Sequence, residues 1–163
     1  MRTRATFTWL MMLGASVGAV ALALVHQYVF DMWPCAWCVL QRLIFLVIAG
    51  VSALALALRM PWIRRMLAVA AMLLAGSGMA AAFYQHVVAA DATSCRLSLA
   101  ERIVGATLHL DTTLPSVFAV RIGCSEGATT LLGVPYEFWS ATAFALVAGM
   151  AVMSLRSRTP GAP

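Results

Sequence analysis

Charged residues divide this chain into long apolar stretches. Twenty-six uncharged residues separate Arg4 from Asp31, 16 separate Arg42 from Arg59, 25 separate Arg65 from Asp91, and 18 separate Glu137 from Arg156. A helix needs about 20 mostly apolar residues to cross the hydrocarbon core of a bilayer. The pattern therefore predicts four spans, over residues 7–30, 39–58, 66–89 and 136–155, with Arg42 inside the first turn of the second. The second and fourth are short and accommodate less tilt. A buried helical bundle in water would show polar faces at a 3.6-residue period, and none is visible. The expected fold is all-α and integral to the membrane: one four-helix transmembrane domain over residues 1–155. Its outer loops are residues 31–38 and the long extracytoplasmic loop 90–135 between spans three and four, and a tail follows over 156–163. The apolar stretch after Met1-Arg2-Thr3-Arg4 far exceeds the roughly 7–15 residues of a signal peptide's apolar region, so it reads as a retained first span.

Composition supports the pattern and charge orients it. The chain is 63% hydrophobic and 10% charged, against about 25% charged in soluble domains. All eleven basic residues are arginine, and the net charge is +5. No basic run is longer than Arg64-Arg65, which argues against a nucleic-acid partner. Topology accounts for the charge instead. Four spans put both termini and the 59–65 turn on one side, with Arg2, Arg4, Arg59, Arg64, Arg65, Arg156 and Arg158 and no acid. Asp31, Asp91, Glu101, Asp111, Glu126 and Glu137 all fall on the other. Arginine-rich loops stay in the cytoplasm, so the first side is expected there. Trp9, Trp33, Trp62 and Trp139 fall near the predicted interfaces, as aromatic belts do.

The four cysteines, Cys35, Cys38, Cys95 and Cys124, all fall on the extracytoplasmic side. An even number there points to disulfides. Cys35-Ala36-Trp37-Cys38 closes too small a loop to staple a fold well, but it is a capable redox element, because each thiolate sits beside a sulfur it can attack or release. Pro34 precedes it and the second span begins just after it. A cysteine at a helix N-terminus meets unpaired N–H groups and the positive end of the dipole, which favour the thiolate. Arg42 follows Cys38 by four residues and shares its helix face. The alternatives are a zinc site built from all four cysteines, two purely structural disulfides, and Arg42 as a snorkelling interfacial anchor. Twenty-eight residues lie between Cys95 and Cys124 in the long loop. That segment is too charged to span. Its Leu97, Leu99, Ile103, Val104, Leu108 and Leu110 suit either the membrane surface or packing on the helix ends, and a loop can offer its cysteines to a soluble partner.

These features in this order resemble the DsbB family. Pro34-Cys35-Ala36-Trp37-Cys38-Val39-Leu40-Gln41-Arg42 is similar to its Pro-Cys-x-x-Cys…Arg motif. Gly123-Cys124-Ser125-Glu126, followed by Leu131-Leu132-Gly133-Val134-Pro135-Tyr136-Glu137-Phe138-Trp139, is similar to its pattern around the fourth cysteine, and Leu114-Pro115 sits where such loops often carry Leu-Pro. The likeness runs over about residues 5–155. Departures are Thr129 for a frequent aromatic, Gly123 for an aspartate, Glu137 in the place of a proline, and Trp37 for a frequent leucine. They bear on the tuning of the site rather than on its chemistry.

The resemblance implies a thiol–disulfide oxidoreductase of the bacterial inner membrane, with both termini cytoplasmic and the cysteines periplasmic. It implies redox-active Cys35–Cys38 and Cys95–Cys124 disulfides. A reduced periplasmic thioredoxin-fold oxidase of the DsbA kind attacks Cys95; the freed Cys124 attacks Cys35; Cys38 leaves as a thiolate and meets a membrane quinone, ubiquinone or menaquinone. It also implies a quinone-side place for Arg42 and His86, although an interfacial histidine is the plainer reading of His86. His26, at the matching level of span one, reads as structural. Two rivals remain. A vitamin-K-epoxide-reductase-like enzyme also couples cysteines to a quinone, but there the loop pair precedes the Cys-x-x-Cys. A metal-binding or transporter-like membrane protein would need no redox chemistry.

Overall fold

A computed structural model describes residues 2–58, 60–89, 99–107, 109–122 and 130–156. Among the described residues, four helices are long and apolar enough to cross a membrane: α1 (Arg2–Val29), α2 (Ala36–Ala57), α3 (Pro61–Tyr84, prolonged by a wider π turn over Gln85–Ala89) and, after the shorter pieces described below, α7 (Tyr136–Arg156). This is the all-α membrane bundle expected. Short connections make α1 and α2, and then α2 and α3, antiparallel neighbours. The helices close into a ring, α1 on α2, α2 on α3, α3 on α7 and α7 on α1.

Proline and arginine set the tight turn between α2 and α3. Pro61 occupies the first turn of α3, where its missing N–H loses nothing. Arg64 Nε donates back to the carbonyls of Ala55 (2.9 Å) and Leu58 (3.2 Å). A cation there satisfies orphan carbonyls at the negative end of the α2 dipole.

The bundle centre is built from one close approach. The Phe45 and Phe144 rings stack across the bundle with centroids 3.9 Å apart. Phe144 is fully buried, and a methyl group on Gly78 would lie 2.3–2.6 Å from its ring carbons. Glycine at 78 is what lets α3 accept that ring. Around the centre, alanines at 68, 71, 75 and 151 let the helix backbones approach, as small residues do in membrane bundles. Of the interfacial tryptophans, Trp62 and Trp139 are exposed, but Trp9 is fully buried. Helix α1 already begins at Arg2, so Trp9 sits two turns inside it rather than at its end.

Between α3 and α7 the described chain forms short pieces: α4 (Leu99–Glu101) running into a π turn, α5 (Leu110–Thr113), α6 (Pro115–Phe118), and a hairpin of β1 (Thr130–Leu131) and β2 (Val134–Pro135). Ala100, Val104 and Phe118 are buried, and α4 rests on α2. Of the loop's apolar residues, Val104 is buried and Ile103 and Leu110 pack partly against the core, Leu99 is exposed, and Leu97 and Leu108 lie outside the described residues. Leu132 and Gly133 make the hairpin turn with φ of 55° and 78°, the paired positive φ that a two-residue turn of this hand requires.

Candidate redox site at the head of the second helix

Pro34 holds the residue before it extended, and α2 starts directly after Cys35. Cys35 is the N-cap, with φ −84° and ψ 171°, and its carbonyl accepts the Val39 N–H at 3.1 Å. One helical turn then brings Cys38 back beside it, with the two sulfurs 3.2 Å apart as thiols. Cys35 is 0% exposed while Cys38 is partly open. The hydrogen bond to Cys38, and then burial, push the Cys35 thiol well above the usual thiol range. Either sulfur can be the donor of the hydrogen bond between them. Gln85 Nε2 donates to the Cys38 sulfur at 3.4 Å, and a donor there favours negative charge on that sulfur.

A relay of amides holds Gln85 in place. Gln41 Nε2 donates to Gln85 Oε1 (2.9 Å), and Ser140 Oγ donates to Gln41 Oε1 (2.5 Å), so α2, α3 and α7 are tied at one level. The π turn supplies Gln85, and such turns are frequent at functional sites.

Arg42 lies on the other flank. Arg42 is buried, at 6% exposure, and its guanidinium is turned to acceptors within the protein. One Nη donates to Gln27 Oε1 (2.6 Å) and to the Val117 carbonyl (3.0 Å), and the other donates to the Ala23 carbonyl (3.3 Å). Three of five N–H donors are used in knitting α1 and α6 to α2. A pocket opens beside it, lined by Ala23, His26, Trp33, Cys38, Arg42 and Tyr136, among others. Cys38 and Arg42 are thus brought to one cavity, as their spacing predicts.

His86 is placed differently. Its Nδ1 meets Glu137 Oε1 at 2.7 Å and its ring stands edge-on to Phe138. It does not line that pocket, and it approaches Cys38 only through its neighbour Gln85. The glutamate standing where the family pattern has proline is therefore the partner of this histidine. Cys95 and Cys124 lie outside the described residues. Among the described residues no cluster of three His, Cys, Asp or Glu side chains is suited to a metal. The sequence reading missed Gln27, Gln41, Gln85 and Tyr136. Uncharged amides inside apolar spans were the available signal, because polar groups at membrane depth need partners.

A pair of thiols at a helix head inside a four-helix membrane bundle defines a membrane dithiol protein. Comparison with known proteins gives the family. The model described as Disulfide bond formation protein DsbB matches residues 5–154. Disulfide bond formation protein B 1 of Pseudomonas syringae pv. syringae is 34% identical over 140 residues, covering 81% of each chain. Disulfide bond formation protein B of Aromatoleum aromaticum is 30% identical over 164 residues, covering 98% of this chain and 96% of its own. The chain belongs to the DsbB family, helical multi-pass membrane proteins of disulfide bond formation, and the family carries a disulfide oxidoreductase role.

Proposed function

We propose that this protein reoxidises a DsbA-like periplasmic thioredoxin-fold partner and passes the electrons to a membrane quinone in the bacterial inner membrane. The observation that carries this reading is the pocket shared by Cys38 and Arg42. The lining has the chemistry a quinone head group needs, aromatic side chains at Trp33, Tyr136 and His26 and a buried guanidinium at Arg42, and because the cavity is only about 20 Å³ a ring enters it only as these side chains move apart. A bound quinone, ubiquinone or menaquinone, supplies a two-electron acceptor. The chain's own residues do the rest. Cys35 and Cys38 form the disulfide that receives electrons from the loop cysteines. Arg42 steadies negative charge beside Cys38. Gln85 orients the Cys38 sulfur, and His86, paired with Glu137, positions the turn that carries Gln85.

The arrival of electrons rests on Cys95 and Cys124 as a second disulfide, with Cys95 met by the partner. Connectivity supports an exchange between Cys124 and Cys35. The Arg121 N–H donates to the Pro34 carbonyl at 3.3 Å, and the Arg121 guanidinium lies 4.9 Å over the Trp33 ring. Two residues separate Arg121 from Cys124 in sequence, and the three steps of chain between them reach at most about 11 Å.

Purified protein mixed with a reduced thioredoxin-fold oxidase and a short-chain quinone is expected to consume one quinone per partner disulfide, followed by quinone absorbance. Partner oxidation with no loss of quinone would overturn the reading, and stoichiometric zinc on the cysteines would replace it with the metal-binding one.

The orientation is tested separately. Arg65 is exposed and takes no part in the Arg64 contacts with α2. In single-cysteine variants of intact cells, reduced and treated with a membrane-impermeant thiol reagent, Cys95 is expected to label and Arg65→Cys is not. The reverse pattern would invert the topology.

A further inference from the structure

His26 lies in the acceptor pocket although its sequence position gave it no role. It is 8% exposed and lines the cavity with Cys38 and Arg42. Its ring is fixed on both sides, stacked on Phe30 at 5.5 Å and edge-on to Tyr136 at 5.7 Å. Its Nδ1 lies 2.8 Å from the Leu22 carbonyl. A carbonyl only accepts, so Nδ1 must carry the hydrogen. That assignment leaves Nε2 as the nitrogen that gains and loses a proton. Neutral His26 then offers an acceptor at Nε2, and protonated His26 offers a donor.

We propose that His26 is a hydrogen-bonding and proton-donating residue toward the quinone, an inference that rests on the quinone reading above. Quinone oxygens only accept, so the oxidised form pairs with protonated His26. Quinol carries hydroxyl donors and pairs with neutral His26. Reduction reverses the same hydrogen bond without moving either partner. The electrons and protons balance. Oxidation of the Cys35 and Cys38 thiols to a disulfide releases two electrons and two protons. Both electrons reach the quinone. One proton reaches it from His26 Nε2, which is refilled from the thiols, and the second comes from the thiols without passing through His26.

Cys38 and Arg42 from α2 and Tyr136 from α7 line the same pocket as His26, and Tyr136 meets its ring. Glu137 is turned away to His86, and Tyr28, on the same helix, donates its hydroxyl to the Ser116 carbonyl. Arginine and tyrosine keep their protons well above neutrality. Histidine is the side-chain type whose charge changes around neutrality, and in protein whose Cys35 and Cys38 are joined as a disulfide Cys38 has no proton to exchange.

The test is equilibrium binding of a short-chain ubiquinone, oxidised or reduced, to detergent-solubilised full-length protein, read by quenching of tryptophan fluorescence. A hydrogen bond to a charged group contributes about 1.5–3 kcal/mol, or roughly 10- to 100-fold in affinity. Oxidised quinone is therefore expected to bind about 10-fold or more tightly at pH 5.5 than at pH 8 in wild-type protein with its Cys35–Cys38 disulfide formed, while quinol binding does not weaken as pH rises. His26→Gln and His26→Phe are expected to abolish the pH dependence and to bind oxidised quinone at the weaker level. If both variants keep the wild-type pH profile, or if the wild type binds oxidised quinone equally at both pH values, His26 is structural and the inference fails alone. If wild type binds no quinone at any pH, the quinone reading fails and takes this inference with it. A variant that loses the thermal stability of wild type is replaced by the other, and the wild-type pH profile stands without either.

Discussion

Arg42→Ala is expected to lower quinone-dependent turnover by about 100- to 1000-fold, the range seen when one preorganised donor to a developing negative charge is removed. The expectation rests on burial. A guanidinium in water would be screened and its loss would matter little, whereas Arg42 is enclosed beside Cys38 and keeps its charge where lysine would shed a proton on desolvation. The structure adds a second consequence. Arg42 also bonds Gln27, Val117 and Ala23, and its removal leaves three acceptors without their donor. Hydrogen bonds between membrane helices contribute about 0.6 kcal/mol on average and up to about 1.7, so the variant should also be less stable by roughly 2–5 kcal/mol. Arg42→Lys keeps a charge but only a point donor, and it should lose about 10-fold in quinone use with a smaller loss of stability. The two effects separate experimentally. Turnover at several quinone concentrations reads the first, and thermal unfolding in detergent reads the second. Formation of the mixed disulfide between partner and Cys95 should be nearly unchanged in the folded fraction of both variants. Wild-type quinone kinetics in Arg42→Ala would leave Arg42 a purely structural tie between α1, α2 and α6.

How much of this was legible beforehand depends on what each feature is made of. The spanning helices follow from gaps between charges, which is one-dimensional information, and α1, α2, α3 and α7 lie where the gaps are. The Cys35–Cys38 approach and the Arg42 register are local helix geometry, one turn apart, and were legible for the same reason. Facing was not. Helices apolar on nearly every side give no period to tell which residue looks inward, so Trp9 was read as interfacial and is buried. Sequence reading put His86 on the quinone side and left His26 structural, whereas it is His26 that lines the pocket with Cys38. Rotation about the helix axis sends His26 to the Cys38 pocket and His86 to Glu137. The amide relay joins residues 44 and 99 positions apart, and nothing local announces such a pairing. Glu137 was visible as a departure from the family pattern, yet its meaning needed the histidine 51 residues away. Leu132-Gly133 also lacks the usual Asn-Gly signal of its turn, and the hairpin was not expected.

Replacing single cysteines should split the reaction into halves. Cys38→Ser is expected to abolish quinone reduction, because the sulfur that lines the acceptor pocket and is hydrogen-bonded to Gln85 and Cys35 is gone. A serine hydroxyl can take the same hydrogen bonds but cannot exchange with a disulfide. Partner attack on Cys95 should persist in this variant and trap a mixed disulfide visible on a non-reducing gel. Cys95→Ser should do the opposite. It should accept no electrons from the partner, yet its Cys35–Cys38 pair, reduced chemically beforehand, should still lose its two electrons to added quinone in a single turnover. Cys35→Ser is the discriminating third case. Cys35 is fully buried and held as a thiol, so it is the sulfur that must be uncovered before Cys124 can reach it. The variant should keep the Cys95 reaction and lose steady-state turnover by a factor similar to that of Cys38→Ser. Steady-state turnover at the wild-type rate in Cys38→Ser or Cys95→Ser would contradict the division of labour. Retained turnover in Cys35→Ser alone would mean that the loop cysteines pass electrons directly to Cys38.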